Sequence, residues 1–292
     1  MKTSDILILI LLGAIWGGSF IFMRVISPVL GPLVTTELRV LIGGLALVGY
    51  FRIIKFDMQF RRYWKHYLFI GAINSATPFF MYSFAALHIP ASYSAILNSS
   101  APLWSAILSV FWLGEKLTLL RSLGLLIGAS GVFLVANVPP PEVDSGFLLA
   151  VLACLLATLC YGFAAVWIKR FGKMLKPMGI AGATQLMAAL VLLPAVPAYP
   201  IRGEVSSVII LNLLGLAIIC SAVAYLFYFK LIADIGPTKA LTVTFLMPLF
   251  GIIWGMLFLG EQITAPMLAG MALILLGTGL VLNIIRLPRK TT

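Results

Sequence analysis

Ten mostly apolar stretches follow one another along the chain, at residues 6 to 23, 33 to 51, 67 to 86, 91 to 113, 119 to 136, 147 to 168, 177 to 196, 207 to 229, 239 to 259 and 266 to 285. A helix crossing a hydrocarbon core of about 30 Å needs roughly 20 such residues. The expected fold is therefore an all-α polytopic membrane protein with ten transmembrane helices. Several linkers are too short to fold by themselves, so one compact bundle is expected. The opening Met1-Lys2-Thr3-Ser4-Asp5 followed by apolar residues is shaped like a signal peptide. However, the apolar run continues to Met23 without a small-x-small cleavage site and has a counterpart later in the chain, so it reads as a retained first helix.

The pattern also repeats. The segment from Pro90 to Val135 returns from Pro237 to Val281. A shift of 146 positions lays Pro102 on Pro248, Leu113-Gly114-Glu115 on Leu259-Gly260-Glu261, Gly124 on Gly270 and Gly131 on Gly277. Further upstream, Trp16-Gly17 matches Tyr161-Gly162, Ser75-Ala76 matches Ser221-Ala222, and Tyr82 matches Tyr228. A repeat of this length marks a duplicated module, and divides the chain into residues 1–140 and 141–292. Five helices per copy is an odd number, so the second copy is expected to enter the membrane upside down. Such inverted repeats are an architecture that many secondary transporters use for alternating access.

Composition agrees with the pattern: 62% hydrophobic and 10% charged residues, with a mean hydropathy of +1.11. The net charge of +11 sits between the apolar runs and forms no basic patch with interleaved aromatics, which argues against nucleic acid as a partner. Of the basic residues, only Arg24 and Arg202 fall in the loops of one side, and Arg39 lies inside a span; the rest fall on the other side. Basic loops stay cytoplasmic, so both termini are expected there, with the protein in the cell inner membrane. Cys154, Cys160 and Cys220 lie inside apolar runs, no CxxC occurs, and the histidines are His66 and His88 alone. No metal or other cofactor is expected. The sequence offers no His/Asp/Glu constellation for an enzyme and no nucleotide-binding GxxxxGK[ST] loop.

Candidate functional residues follow from backbone chemistry. Pro102 and Pro248 lie within the fourth and ninth spans, and a proline removes the hydrogen bond to the carbonyl four residues earlier. Those carbonyls belong to Asn98 and Thr244, which are repeat equivalents. An unsatisfied carbonyl in lipid costs several kcal/mol, so both are expected to face protein or a watery midplane cavity between the copies. Packing kinks, with Asn98 and Thr244 bonded to their own turns, are the alternative. Asn74 stands in the same relation to Pro78. Trp16, Phe79, Tyr82, Tyr161 and Tyr228 recur at paired places and complete the predicted substrate-binding set, with Tyr225 nearby; hinging is expected at Pro102 and Pro248. Ser94, Asn98, Pro102, Ser105 and Ser109 share a helix face. The outer half of that stripe reads as cavity wall, and the Ser105/Ser109, Gly251/Gly255, Gly13/Gly17 and Gly124/Gly128 pairs read as packing sites. Glu115 and Glu261 are expected to accept from the free amides of the fifth and tenth helices. Arg39 either works inside the membrane or snorkels to the outer interface.

Trp16-Gly17-Gly18-Ser19-Phe20, Arg39 early in the second helix, and the Pro-helix-LeuGlyGlu-helix unit at 102 to 115 and 248 to 261 resemble the EamA-type drug/metabolite transporter superfamily. The resemblance covers essentially the whole chain and implies ten helices in two inverted repeats. Within the family it is closest to bacterial exporters of amino acids, aromatic ones in particular. The expected function is export of small amphipathic metabolites by alternating access, as facilitated diffusion or exchange. Proton-coupled drug or metabolite efflux, with Glu37 as the candidate proton carrier, is one alternative; a membrane-embedded enzyme or a structural subunit is the alternative from a different class. The expected partners are a small-molecule substrate and the lipid bilayer.

Overall fold

The computed structural model describes residues 2–137 and 145–284, and these are helical apart from short connections. The predicted boundary at 140/141, the end of the tenth apolar run and the basic residues Arg286, Arg289 and Lys290 lie outside the described residues. Ten spans follow in order: α1 (Thr3–Leu30), α2 (Pro32–Ile53), α3 (Phe60–Ala85), α4 (Ala91–Leu113), α5 (Leu119–Asn137), α6 (Phe147–Phe171), α7 (Pro177–Ala198), α8 (Ser207–Ile235), α9 (Val243–Leu259) and α10 (Ala265–Val281). Eight are long and apolar enough to cross a membrane by themselves, whereas α9 and α10 are shorter. A separate turn, Pro237–Ala240, precedes α9 and extends its reach. Below, the side on which α1 begins and α10 ends is the terminal side.

Lipid supplies no polar partners, so a spanning backbone must satisfy its own, and the departures from helix are therefore informative. They occur at matching places in the two copies. A π-helical stretch interrupts α3 at Ala72–Ala76 and another interrupts α8 at Gly215–Val223. α4 breaks at Ser99 and Ser100 between Ala91–Asn98 and Ala101–Leu113, with Pro102 in the first turn of the second piece. A proline there removes only a donor that has no helical partner anyway. The polar groups of this break find neighbours: Thr278 Oγ1 donates to the Ser99 carbonyl (3.2 Å), and Ser100 Oγ donates to the Leu97 carbonyl (2.7 Å). In the second copy the break falls earlier, at Leu241 and Thr242, and Pro248 lies inside an unbroken α9. The matched prolines thus sit in different local structures. Gly114 and Gly260 end their helices at φ +67° and +64°, a left-handed conformation that favours glycine.

Small residues set the helix spacing. α5 and α10 pack backbone to backbone: a methyl group on Gly124 would lie 2.8 Å from the Gly277 carbonyl, and one on Gly131 would lie 2.7 Å from the Gly270 carbonyl. α1 approaches α9 in the same way, with Gly17 facing the Met247 carbonyl at 2.7 Å. The glycine pairs read from sequence as packing sites do pack. Overpacking such a contact costs about 1–3 kcal/mol. Gly124→Leu and Gly131→Leu are therefore expected to lower the melting temperature of the purified protein in detergent. Gly49→Ala, where nothing lies within 4 Å, is expected to leave it unchanged or raise it. Equal stability of all three variants would contradict the packing account.

Candidate functional site

The irregular segments surround one cavity of about 360 Å³, walled by α1, α3, α4, α6, α8 and the start of α9. Trp16, Asn74, Phe79, Tyr82, Asn98, Tyr161, Tyr228 and Thr244 all line it, and so does Pro102. Pro248 is buried outside the lining. α5 contributes nothing and α10 only Leu282, just beyond its end.

The backbone departures shape the wall. In the π stretch of α8 the Cys220 carbonyl accepts from Trp16 Nε1 at 3.2 Å, which fixes the indole against the Tyr228 ring at 5.2 Å and the Tyr225 ring at 6.0 Å. π-helical turns often occur at functional sites because they release carbonyls from the helical ladder. Across the cavity, Tyr82 donates to Asn98 Oδ1 at 2.9 Å, at the end of the first piece of α4, and its ring lies 5.3 Å from Phe20 and 6.3 Å from Tyr161. The aromatic side chains therefore form two groups, one around Trp16 and the other around Phe20, which share a face of α1 one turn apart. Thr244 borders the lumen, but its hydroxyl donates to the Leu241 carbonyl of its own turn at 2.8 Å. Ser94 does not reach the cavity: it is buried, and Cys154 Sγ donates to its Oγ at 3.8 Å.

Arg39 enters the site from α2 and settles the alternative left by the sequence. It does not snorkel; it is 4% exposed and lines the cavity. Its guanidinium carbon lies 3.7 Å above the Phe79 ring, Nε donates to Ser221 Oγ at 3.2 Å, and Nη1 faces Met23 Sδ at 3.6 Å. Tyr225, named beside the predicted set, lines the cavity too, and so do Ser19, Phe20 and Met23, which had not been singled out for it. The match of Ser75-Ala76 with Ser221-Ala222 pointed to the Ser221 region, but nothing in the sequence joined it to Arg39.

The two glutamates correct an expectation. Glu261 does not hold the amides of α10. Its carboxylate crosses to the other copy and accepts from the Ala91 and Ser92 amides at 2.6 and 3.0 Å, capping the start of α4. The negative charge also suits the positive end of that helix. Glu115 pairs with Lys169 and, at 2.9 Å, with Arg121. The Lys169 ammonium, followed by Arg121, holds its carboxyl below the usual range, so it is ionised at neutral pH. The start of α4, on the side away from the termini, is fully packed, with Ala91 1% and Tyr93 0% exposed. Leu241, at the corresponding start of α9, is 41% exposed and lines the cavity. The cavity is therefore closed beyond Arg39 and opens towards the terminal side.

Comparison with known proteins agrees with this architecture. The chain is 25% identical over 94% of its length to an uncharacterised transporter, YvbV, of Bacillus subtilis (strain 168), covering 90% of that protein. It is 26% identical over 89% of its length to the protein PecM of Dickeya dadantii (strain 3937), covering 86% of it. A solved crystal structure shares the fold with a TM-score of 0.66 at 19% identity, over 96% of both chains. The EamA-like transporter family matches twice, at residues 3–137 and 148–283, each match spanning five of the helices described above. The chain belongs to the EamA-like transporter family.

Proposed function

We propose that the protein is a secondary transporter that exports small amphipathic metabolites, aromatic amino acids among them, by alternating access between two inverted five-helix copies. The observation that carries this reading is the cavity: it lies between the copies, is walled by aromatic side chains and broken backbone, and is closed at one end only. In this reading the terminal side is cytoplasmic, as the basic loops require, and the state described is inward-facing. The broken α4 and the turn before α9 are the moving parts, with Pro102 marking the hinge of the first. For the second, the irregular backbone at Leu241 and Thr242 is a better hinge than Pro248.

Flux of labelled phenylalanine from proteoliposomes tests the site. Trp16→Ala and Asn98→Ala are expected to lower the initial rate at least tenfold while the yield of monodisperse protein stays the same. Wild-type rates in both variants would place the substrate elsewhere.

The carboxylate of Glu261 is expected to hold the outer end shut. Losing an N-terminal cap costs about 0.5–2 kcal/mol, roughly a tenfold shift between states. Glu261→Ala should therefore lengthen the distance between spin labels placed across that mouth. Identical distance distributions in wild type and variant would remove the latch from the mechanism.

No Asp, Glu or His lines the cavity among the described residues, which favours movement down the substrate's own gradient, or exchange. Glu37 is 4% exposed, with Oε2 unpartnered, but does not line the cavity. Counterflow in liposomes without any ion gradient is the expected result. Uptake only under an imposed pH gradient, abolished by Glu37→Gln, would establish proton coupling instead.

A further inference from the structure

The cation at the closed end of the cavity has no counter-ion. Arg39 lies about 10 Å, or seven residues at 1.5 Å each, from the outer start of α2. No ion pair within 4.0 Å joins it to a carboxylate of the described residues. Glu37, two positions away, cannot share its helix face and is not part of the cavity wall. A buried guanidinium is costly unless an anion reaches it, and here the lumen is the open approach. The contacts it does have hold it in place without neutralising it. Phe79 lies against its flat face, Ser221 takes Nε, and a thioether faces Nη1. Nη2 has no hydrogen-bond partner among the described residues. Of the five guanidinium N–H groups, one on Nε and one on Nη1 have partners, which leaves one on Nη1 and both on Nη2, and a carboxylate can accept from such a pair.

We propose that Arg39 is the specificity-determining residue of the cavity and binds the carboxylate of its substrate, the aromatic or apolar body of which lies towards the terminal side against Trp16, Tyr225 and Tyr228. This rests on the transport reading for what happens to the ligand, but not for its binding. The same walls make a second statement. The lining carries no acidic side chain that would pair with an ammonium group, so the amino group of an amino acid is dispensable. The ligand class is aromatic monocarboxylates with or without an α-amino group, and amides and amines of the same shape are excluded.

Two matched compounds test this, 3-phenylpropionate and 3-phenylpropionamide, which differ in the carboxylate alone, with phenylalanine as the amino-bearing member. Thermal stabilisation of the purified protein in detergent reads binding, and counterflow in proteoliposomes reads transport. In wild type, 3-phenylpropionate and phenylalanine are expected to stabilise the protein and the amide is not. Arg39→Gln is expected to weaken the stabilisation by the acids at least tenfold in the concentration required and to abolish the preference for acid over amide. Arg39→Lys, which keeps the charge but not the two-pronged edge, is expected to fall between the two. Should Arg39→Gln fail to fold, the acid-against-amide preference of the wild type still decides. Equal stabilisation by acid and amide, stabilisation by neither acid, or an undiminished preference in Arg39→Gln would overturn the proposal. Carboxylate-dependent stabilisation without counterflow would uphold the role of Arg39 and refute the transport reading.

Discussion

Everything in this structure answers to the absence of water from a bilayer core. A backbone carbonyl that leaves the helical ladder there must find another partner or face a wet space. Two π stretches and two breaks leave the ladder beside the same cavity. The first break takes its partners from a distance, with Thr278 of α10 on the Ser99 carbonyl and Ser100 bonded to Thr158 of α6 at 3.3 Å. The second uses its own threonines, Thr242 and Thr244, against the carbonyls of Lys239 and Leu241. The first copy's break is thus bonded to its neighbours and the second copy's is self-contained. That difference matches the closed start of α4 and the more open start of α9.

The sequence made the fold legible because its dominant signals are strong and local. Apolar runs give the spans, and glycines with repeated LeuGlyGlu units give the duplication. The cavity was legible for the same reason, since prolines and paired aromatics at matching offsets mark the places where a membrane helix is irregular. What escaped was long-range geometry. Nothing in the residues around Glu261 says that its carboxylate turns to α4 rather than to α10. The close approach that permits it depends on Gly255, where a methyl group would lie 3.0 Å from the Glu261 Cδ. The shift of the second break away from Pro248 was hidden too, because a proline removes one hydrogen bond whether the helix breaks there or bends through it. Arg39 looked the same from the sequence whether it snorkelled or turned inwards; only its packing on Phe79, from α3, decides.

The polar chemistry is distributed unevenly. At the terminal side Glu115 has two cations, whereas Arg39, beside the closed end of the lumen, has no paired carboxylate among the described residues. A membrane protein keeps an uncompensated ion inside only where something else fills its place. The cavity lining is otherwise uncharged among the described residues, so in the proposed binding mode this one group sets the sign of what the cavity accepts. The aromatic walls set the shape.

The bond between Glu261 and the start of α4 has a lopsided genetics. One partner is a side chain, which a single codon can change; the other is a pair of main-chain amides, which any residue but proline carries provided that it fits these buried sites, Ala91 being 1% and Ser92 0% exposed. Proline alone would delete a donor, and Pro90, immediately before them, already lacks one. The chemistry of this contact therefore resides in one side chain, at position 261, in the half of the gene that does not encode the helix being held.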